Sequence, residues 1–210
     1  MGKEISEYVI KRLPRYYRFL GDLSAAGIKK ISSGQLSEKM GLTASQIRQD
    51  LNCFGGFGQQ GYGYNTDQLR EEIGNILGVN KTKKIILIGV GNLGRAVAMH
   101  LDFEKKGFIL MGMFDNKESI IGTVVRNQPV RSIESLDEFC RENKPDAAIL
   151  CIPKEAVPPI ADMLVKLGVK GFLNFSHYDI ALKYDNICVE NVHFGDSLMT
   201  LSYNLQQNNQ

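Results

Sequence analysis

Chemistry in this chain is most pointed at Gly89-Val90-Gly91-Asn92-Leu93-Gly94, three glycines at the spacing that lets a backbone wrap a diphosphate. The apolar run Ile85-Ile86-Leu87-Ile88 precedes them and an amphipathic pattern from Asn92 to Leu101 follows, so the turn is expected to join a strand to a helix. In that context the first glycine makes the turn, the second lets a pyrophosphate approach the backbone, and the third lets the helix pack on the strand. The helix N-terminus adds unbonded N–H groups and a partial positive charge. Asp115 ends the next apolar run about twenty residues further on, where a carboxylate accepts hydrogen bonds from ribose hydroxyls and repels a 2′-phosphate. The constellation predicts a site for NAD(H) in preference to NADP(H).

The remaining reactive side chains are less directed. Cys53, Cys140, Cys151 and Cys188 are scattered through apolar contexts without a Cys-x-x-Cys pair. Reduced, buried thiols are therefore expected, with neither a disulfide framework nor a metal site. His100, His177 and His193 all fall in the second half, and packing or hydrogen bonding is the expected role of a lone histidine. A catalyst would also need a substrate pocket and an acid, base or nucleophile beside the nicotinamide. Few residues after Asp115 are left over from building a sheet, so no catalytic residue is expected. A small NAD-dependent oxidoreductase with a helical N-terminal extension is the alternative, and a CoA-binding module on the same fold a third reading, against which Asp115 speaks.

These residues have to be positioned by two domains, which 210 residues with 43% hydrophobic and 23% charged side chains can support. A net charge of +2 means that any nucleic-acid surface must be local. No signal-peptide core and no membrane-spanning stretch is read, so the expected compartment is the cytoplasm. From residue 83 onward, β-rich runs (84–88, 108–114, 147–152, 171–175, 187–190) alternate with helical patterns (92–101, 136–142, 157–167), which predicts an α/β Rossmann domain with a parallel sheet. The boundary is placed near Lys81, giving domains 1–80, 81–192 and a terminal amphipathic helix, 193–210, with Phe194, Leu198, Leu201 and Leu205 on one face.

The first eighty residues are predominantly helical in pattern, with helices expected at 6–23, 32–40, 44–54 and from Thr66 onward. Thr43-Ala44-Ser45-Gln46 has capping-box form, and the two short helices around Gly41 make a helix-turn-helix. In its second helix Ile47 and Leu51 face the core, leaving Ser45, Gln46, Arg48 and Gln49 to reach base edges or phosphates. Arg12 and Arg15 on the first helix could add phosphate contacts. Glycines alternate with aromatics from Gly55 to Tyr64 as a tight β-hairpin requires, a candidate wing carrying Phe57, Gln59, Gln60, Tyr62 and Tyr64.

Several ordered segments resemble one family. They are Arg12 to Tyr17, Gln46 to Gly55, Gly61-Tyr62-Gly63-Tyr64, Gly89 to Gly94, Phe114-Asp115, Gly168 to Phe175 and Val189 to Val192, spanning nearly the whole chain. Together they resemble the bacterial Rex family of redox-sensing transcriptional repressors. The resemblance implies a homodimer with swapped C-terminal helices that binds palindromic duplex operators when NAD+ prevails and releases them when NADH rises. The expected cofactor contacts are then Gly89, Val90, Gly91, Asn92, Leu93, Gly94, Asp115, Asn116, Ile152, Pro153, Asn174, Phe175, His100 and Phe194. Three departures stand out: Gln49 where many members carry Lys, Gln59-Gln60 where wings are often basic, and His100 and His193 at positions where some members couple a Tyr to an Asp. Fewer phosphate contacts are expected, the Tyr–Asp switch does not carry over, and the two histidines either meet across the dimer near the nicotinamide or are uncoupled packing or surface residues.

Overall fold

The computed structural model describes residues 5–55 and 63–207. It divides into two compact units, Met1–Asn80 and Lys81–Gln210.

The first unit is four helices and a two-stranded ribbon: α1 (Glu7–Ala25), β1 (Lys30–Ile31), α2 (Ser33–Met40), α3 (Ala44–Asn52), β2 (Tyr64–Asn65) and α4 (Thr66–Leu77). Each helix turns one apolar stripe inward. Leu13, Tyr16 and Leu20 of α1 meet Leu36 and Met40 of α2, Ile47 and Leu51 of α3, and Leu69 and Ile73 of α4 in one buried cluster. Ser32 starts α2 with a full capping box, its hydroxyl accepting from the Gln35 N–H while the Gln35 side chain accepts from the Ser32 N–H. β1 pairs antiparallel with β2, Ile31 opposite Tyr64, so the return strand of the expected wing is anchored on a strand not read in the sequence. The wing residues Phe57, Gln59, Gln60 and Tyr62 lie outside the described residues.

The second unit contains β3 (Lys83–Ile88), α5 (Asn92–His100), β4 (Phe108–Asp115), β5 (Val124–Val125), β6 (Gln128–Ser132), α6 (Leu136–Asn143), β7 (Ala147–Leu150), α7 (Val157–Lys166), β8 (Gly171–Asn174), β9 (Cys188–Asn191) and α8 (Phe194–Gln207). Its sheet runs in the order β5-β6-β4-β3-β7-β8-β9. All neighbours are parallel except β5 with β6. Without β5 this is the doubly wound dinucleotide-binding order, whose crevice opens where the chain reverses direction, between β3 and β7. Strand alternation sends Ile86 and Ile88 to a core shared with α6 and α7, while Ile85 and Leu87 meet Ala98 of α5 on the other face.

The sequence pattern predicts five strands here, and seven are present among the described residues. The pair β5 and β6 is joined by Arg126 (φ 52°) and Asn127 (φ 60°), the two left-handed central residues of a primed hairpin turn. Arg126 is held there by Glu104, which it meets at 2.7 and 2.8 Å, and by the Leu101 carbonyl at 3.0 Å. The thiol expectation also needs correcting: Cys140 is buried and Cys151 partly so, but Cys53 and Cys188 are exposed. Cys53 sits just past the end of α3 and Cys188 on the edge strand β9, positions that leave both thiols exposed.

Candidate nucleotide cleft and nucleic-acid interface

The glycine turn has the stereochemistry its sequence demands. Gly89 has φ +88°, and a Cβ there would lie 2.5 Å from the Cys151 carbonyl oxygen, so the loops after β3 and β7 pass too closely for any side chain. A Cβ on Gly94 would lie 1.8 Å from the Gly89 carbonyl oxygen, which fixes α5 against the turn. Gly91, the N-cap of α5, meets nothing within 4 Å and carries no side-chain cap. Two glycines are thus required by packing within the protein, and the middle one leaves a cradle open at a helix N-terminus, where an anion is favoured.

Asp115 is buried at the end of β4. One carboxylate oxygen accepts from the Val90 N–H at 2.6 Å and the other from the Lys117 N–H at 2.9 Å. The acid therefore ties the glycine turn to the loop beyond β4 while retaining lone pairs for a ribose. Asn116 is exposed on that loop, and Ile152 and Pro153 follow β7 beside the turn. The residues present fit an adenine dinucleotide: an open cradle, a helix N-terminus, and an acid at the ribose position.

Asn174 differs from its expected role as a contact. It is fully buried, and its amide binds the Ser176 and Tyr178 carbonyls and Asn191, while its oxygen accepts from the Ser176 N–H and hydroxyl. It builds the loop after β8, where Phe175 is half-buried against the core on the α5 side of the sheet. Phe175 meets Phe194 of α8 with ring centroids 6.2 Å apart. His193 stacks on His177 at 4.8 Å and reaches the Ser176 carbonyl at 2.8 Å, so Nε2 carries the proton in that contact. His100 is the last residue of α5, about 12 Å from the glycine turn at 1.5 Å per residue. Within one chain it is not brought to the cleft. Cys151 is the thiol nearest the turn, and burial pushes it up to about 12, which keeps it protonated and unreactive.

In the first unit, the exposed face of α3 carries Ser45, Arg48 and Gln49, with Gln46 half-buried. Arg48 donates to the Ser33 hydroxyl at 3.0 Å. Tyr64 stands on β2, opposite Ile31; burial pushes its phenol up, and the Arg48 charge opposes that shift. Arg15 is exposed and lies over the Phe19 ring. Arg12 and Gln46 are placed differently from expectation. Thr43 caps α3 as predicted, accepting from the Gln46 N–H at 3.1 Å, yet the Gln46 side chain does not complete the box. It donates instead to Asp50 at 2.8 Å, one turn further along the helix. Arg12 grips the same carboxylate through Nε and Nη2, each at 2.7 Å, and the buried Tyr16 hydroxyl donates to it at 2.9 Å.

Asp50 is absent from the residues that the sequence pattern singles out. A signal exists nonetheless, because it adjoins Leu51 and follows Ile47 by three positions, at the edge of the apolar stripe, where a carboxylate must be paired. Burial alone would push it up, but hydrogen bonds from Arg12, Gln46 and Tyr16 outweigh that and hold it below the usual carboxylate range.

A helix-turn-helix with a ribbon, followed by a doubly wound domain with an open diphosphate cradle, defines a class: a DNA-binding protein that answers to a dinucleotide. Residues 4–52 match the family described as "Putative DNA-binding protein N-terminus", and residues 80–178 the one described as "CoA binding domain". The redox-sensing transcriptional repressor Rex of Thermoanaerobacter pseudethanolicus is 51% identical over 204 residues, 97% of this chain and 91% of that protein. Rex of Clostridium acetobutylicum is 47% identical over 207 residues, 99% and 96% of the two. The crystal structure of RSP with β-NAD+ and operator DNA superimposes with a TM-score of 0.90 at 49% identity, covering 99% of this chain and 95% of that one. The structure of RSP with β-NADH gives 0.88 at 47%, covering 98% and 96%. The chain belongs to the Rex family of redox-sensing transcriptional repressors.

Proposed function

We propose that this protein represses transcription in the cytoplasm by binding a palindromic duplex operator as a homodimer when NAD+ prevails, and that NADH releases it. The observation that carries the reading is the joint presence, in one chain, of a helix-turn-helix and a diphosphate cradle left open at Gly91. Gly89 to Gly94 would hold the pyrophosphate, Asp115 and Asn116 the adenosine ribose, and Ile152, Pro153 and Phe175 the nicotinamide side. The dinucleotide supplies no reaction here; its redox state is the signal. On the DNA side, Ser45, Gln46, Arg48 and Gln49 would face base edges and phosphates, flanked by Arg12, Arg15 and the wing.

Dimerisation is supported by α8, which buries none of its residues within the chain. Phe194, Leu198, Leu201 and Leu205 are 61%, 66%, 53% and 56% exposed, a largely uncovered stripe of the kind that marks an interface. Exchange of α8 between subunits would cover it and bring Phe194, with His193 at its root, to the partner's cleft. Two recognition helices must sit about 34 Å apart to enter successive major grooves. A cofactor form that favours another dimer geometry therefore opposes DNA, and DNA opposes that form by the same factor.

A gel-shift titration against a genomic fragment pool, with NAD+ and NADH added separately, tests the reading. Bound fragments should persist in NAD+ and be released by NADH. Binding that survives saturating NADH removes the sensor.

A further inference from the structure

Gln46 sits in the first turn of the helix read as the one facing DNA, yet its side chain is not free. A carboxamide has a donor end and an acceptor end of nearly identical shape, so an untethered glutamine can turn over and satisfy different base edges. Asp50 removes that freedom. An ionised carboxylate only accepts, and it is kept ionised by the Arg12 fork and the Tyr16 hydroxyl, so Gln46 must aim Nε2 at it. The amide oxygen and the remaining N–H are left with one defined sense. Arg12 is similarly fixed: two of its donors are spent on Asp50, and its charge is compensated by a partner buried to within 1%.

We propose that Asp50 is a positioning residue for operator recognition, locking the Gln46 amide in a single orientation and offsetting the Arg12 charge, so that it trades non-specific affinity for discrimination at one base pair of each half-site. The proposal rests on the reading that α3 faces the operator. It assigns the acid a role distinct from contact, since a carboxylate facing phosphates would only repel them.

Replacing Asp50 by Asn keeps shape and volume but supplies a donor as well as an acceptor. Gln46 can then present either end of its amide, and the Arg12 charge is no longer neutralised. Discrimination and non-specific binding should consequently move in opposite directions, which loss of structure does not produce.

The test uses full-length protein with NAD+, a duplex selected by the wild type from a random-sequence pool, and derivatives of it with each base pair of the half-sites replaced in turn. Asp50→Asn should lose about tenfold in discrimination at the base pair where Gln46→Ala also loses it. The double variant should lose no more than either single one, as expected when one residue acts through the other. Binding to an unrelated duplex should strengthen, with a salt dependence steeper by up to about one unit of log K against log salt. Wild-type discrimination in Asp50→Asn, equal losses at every base pair, or additive losses in the double variant overturn the proposal. If Gln46→Ala leaves discrimination intact, the recognition role of Gln46 falls and the proposal falls with it; a loss in Gln46→Ala without one in Asp50→Asn removes the proposal alone. Should Asp50→Asn melt below the assay temperature, Tyr16→Phe, which strips one donor from the carboxylate, should show a smaller loss at the same base pair, and a uniform loss there again overturns it.

Discussion

Each half of this molecule hangs its binding element on one buried aspartate, and the two are satisfied in opposite ways. Among the described residues Asp115 accepts only from backbone N–H groups, Val90 and Lys117, so it shapes a loop whatever side chains the loop carries. Among the described residues Asp50 accepts only from side chains, Arg12, Tyr16 and Gln46, one of them charged and two of them from another helix. A backbone-tethered acid can lose its carboxylate at the cost of unsatisfied N–H groups. A side-chain-tethered acid leaves a buried hydroxyl and a partly exposed cation without their acceptor, which costs more. The cofactor half is therefore built to keep a cradle open, and the DNA half to keep particular side chains aimed.

The largest effect should come from breaking the more expensive of the two. Asp50→Ala strands Arg12 and the Tyr16 hydroxyl and should cost the first unit about 3–5 kcal/mol in urea unfolding followed by far-ultraviolet circular dichroism. A loss below about 1 kcal/mol would show that Arg12 simply swings to solvent. The pH dependence sharpens the point. The Asp50 carboxyl is lowered in the folded state, so its contribution is fully present above the ordinary aspartate value and is lost as pH falls through the folded one. The stability gap between wild type and Asp50→Ala should thus be constant above about pH 5 and narrow below about pH 4. A gap that is unchanged at pH 3 contradicts the ion pair.

Asp115→Ala should be milder, about 1–3 kcal/mol, because only backbone N–H groups lose their acceptor and the loop can rewet. Its functional effect should exceed its structural one. NAD(H) binding weakens and NADP(H) is relatively better tolerated, since the ribose acceptor is gone and nothing repels a 2′-phosphate. Calorimetry with the four nucleotides measures both, and an unchanged NAD(H)-to-NADP(H) ratio would remove Asp115 from the ribose.

The two aspartates also explain what can be read ahead of the structure. Gly89, Gly91, Gly94 and Asp115 are legible because a strand, a turn, a helix and the next strand tip occur in one short stretch, and the chemistry depends on that local order. The Arg12–Asp50 pair joins residues 38 apart on separate helices, and nothing in either neighbourhood requires the other. The hairpin of β5 and β6 escapes for another reason: its left-handed turn carries Arg126 and Asn127 without glycine, and the conformation is held by Glu104 and the Leu101 carbonyl from distant segments. The Thr43–Gln46 box is half right, because the sequence shows that a glutamine can cap but not that a buried carboxylate one turn away competes for it.

The smallest effects on stability should come from residues whose surroundings are open, and these divide the two functions most cleanly. Gly91 has a negative φ of −65°, and a Cβ added there would meet nothing within 4 Å, so Gly91→Val should fold with stability within about 0.5 kcal/mol of the wild type. The isopropyl group would nonetheless fill the pyrophosphate cradle, leaving DNA binding that NADH cannot reverse. Arg48 is its counterpart: exposed, with a hydrogen bond to the Ser33 hydroxyl, and equally dispensable for folding. Arg48→Ala should leave NADH binding as it is and weaken the operator complex by about 1–3 kcal/mol if the guanidinium reads a base, with specificity relaxed at that position alone. If it holds a phosphate, the loss is instead equal on all duplexes and the salt dependence becomes shallower by about one unit. Binding curves for matched and mismatched operators at three salt concentrations separate these outcomes. A variant that loses both NADH and DNA binding at either position would mean that the substituted residue supports the fold of both surfaces and not one of them, and the contrast between a cradle and an aimed set of side chains would fail.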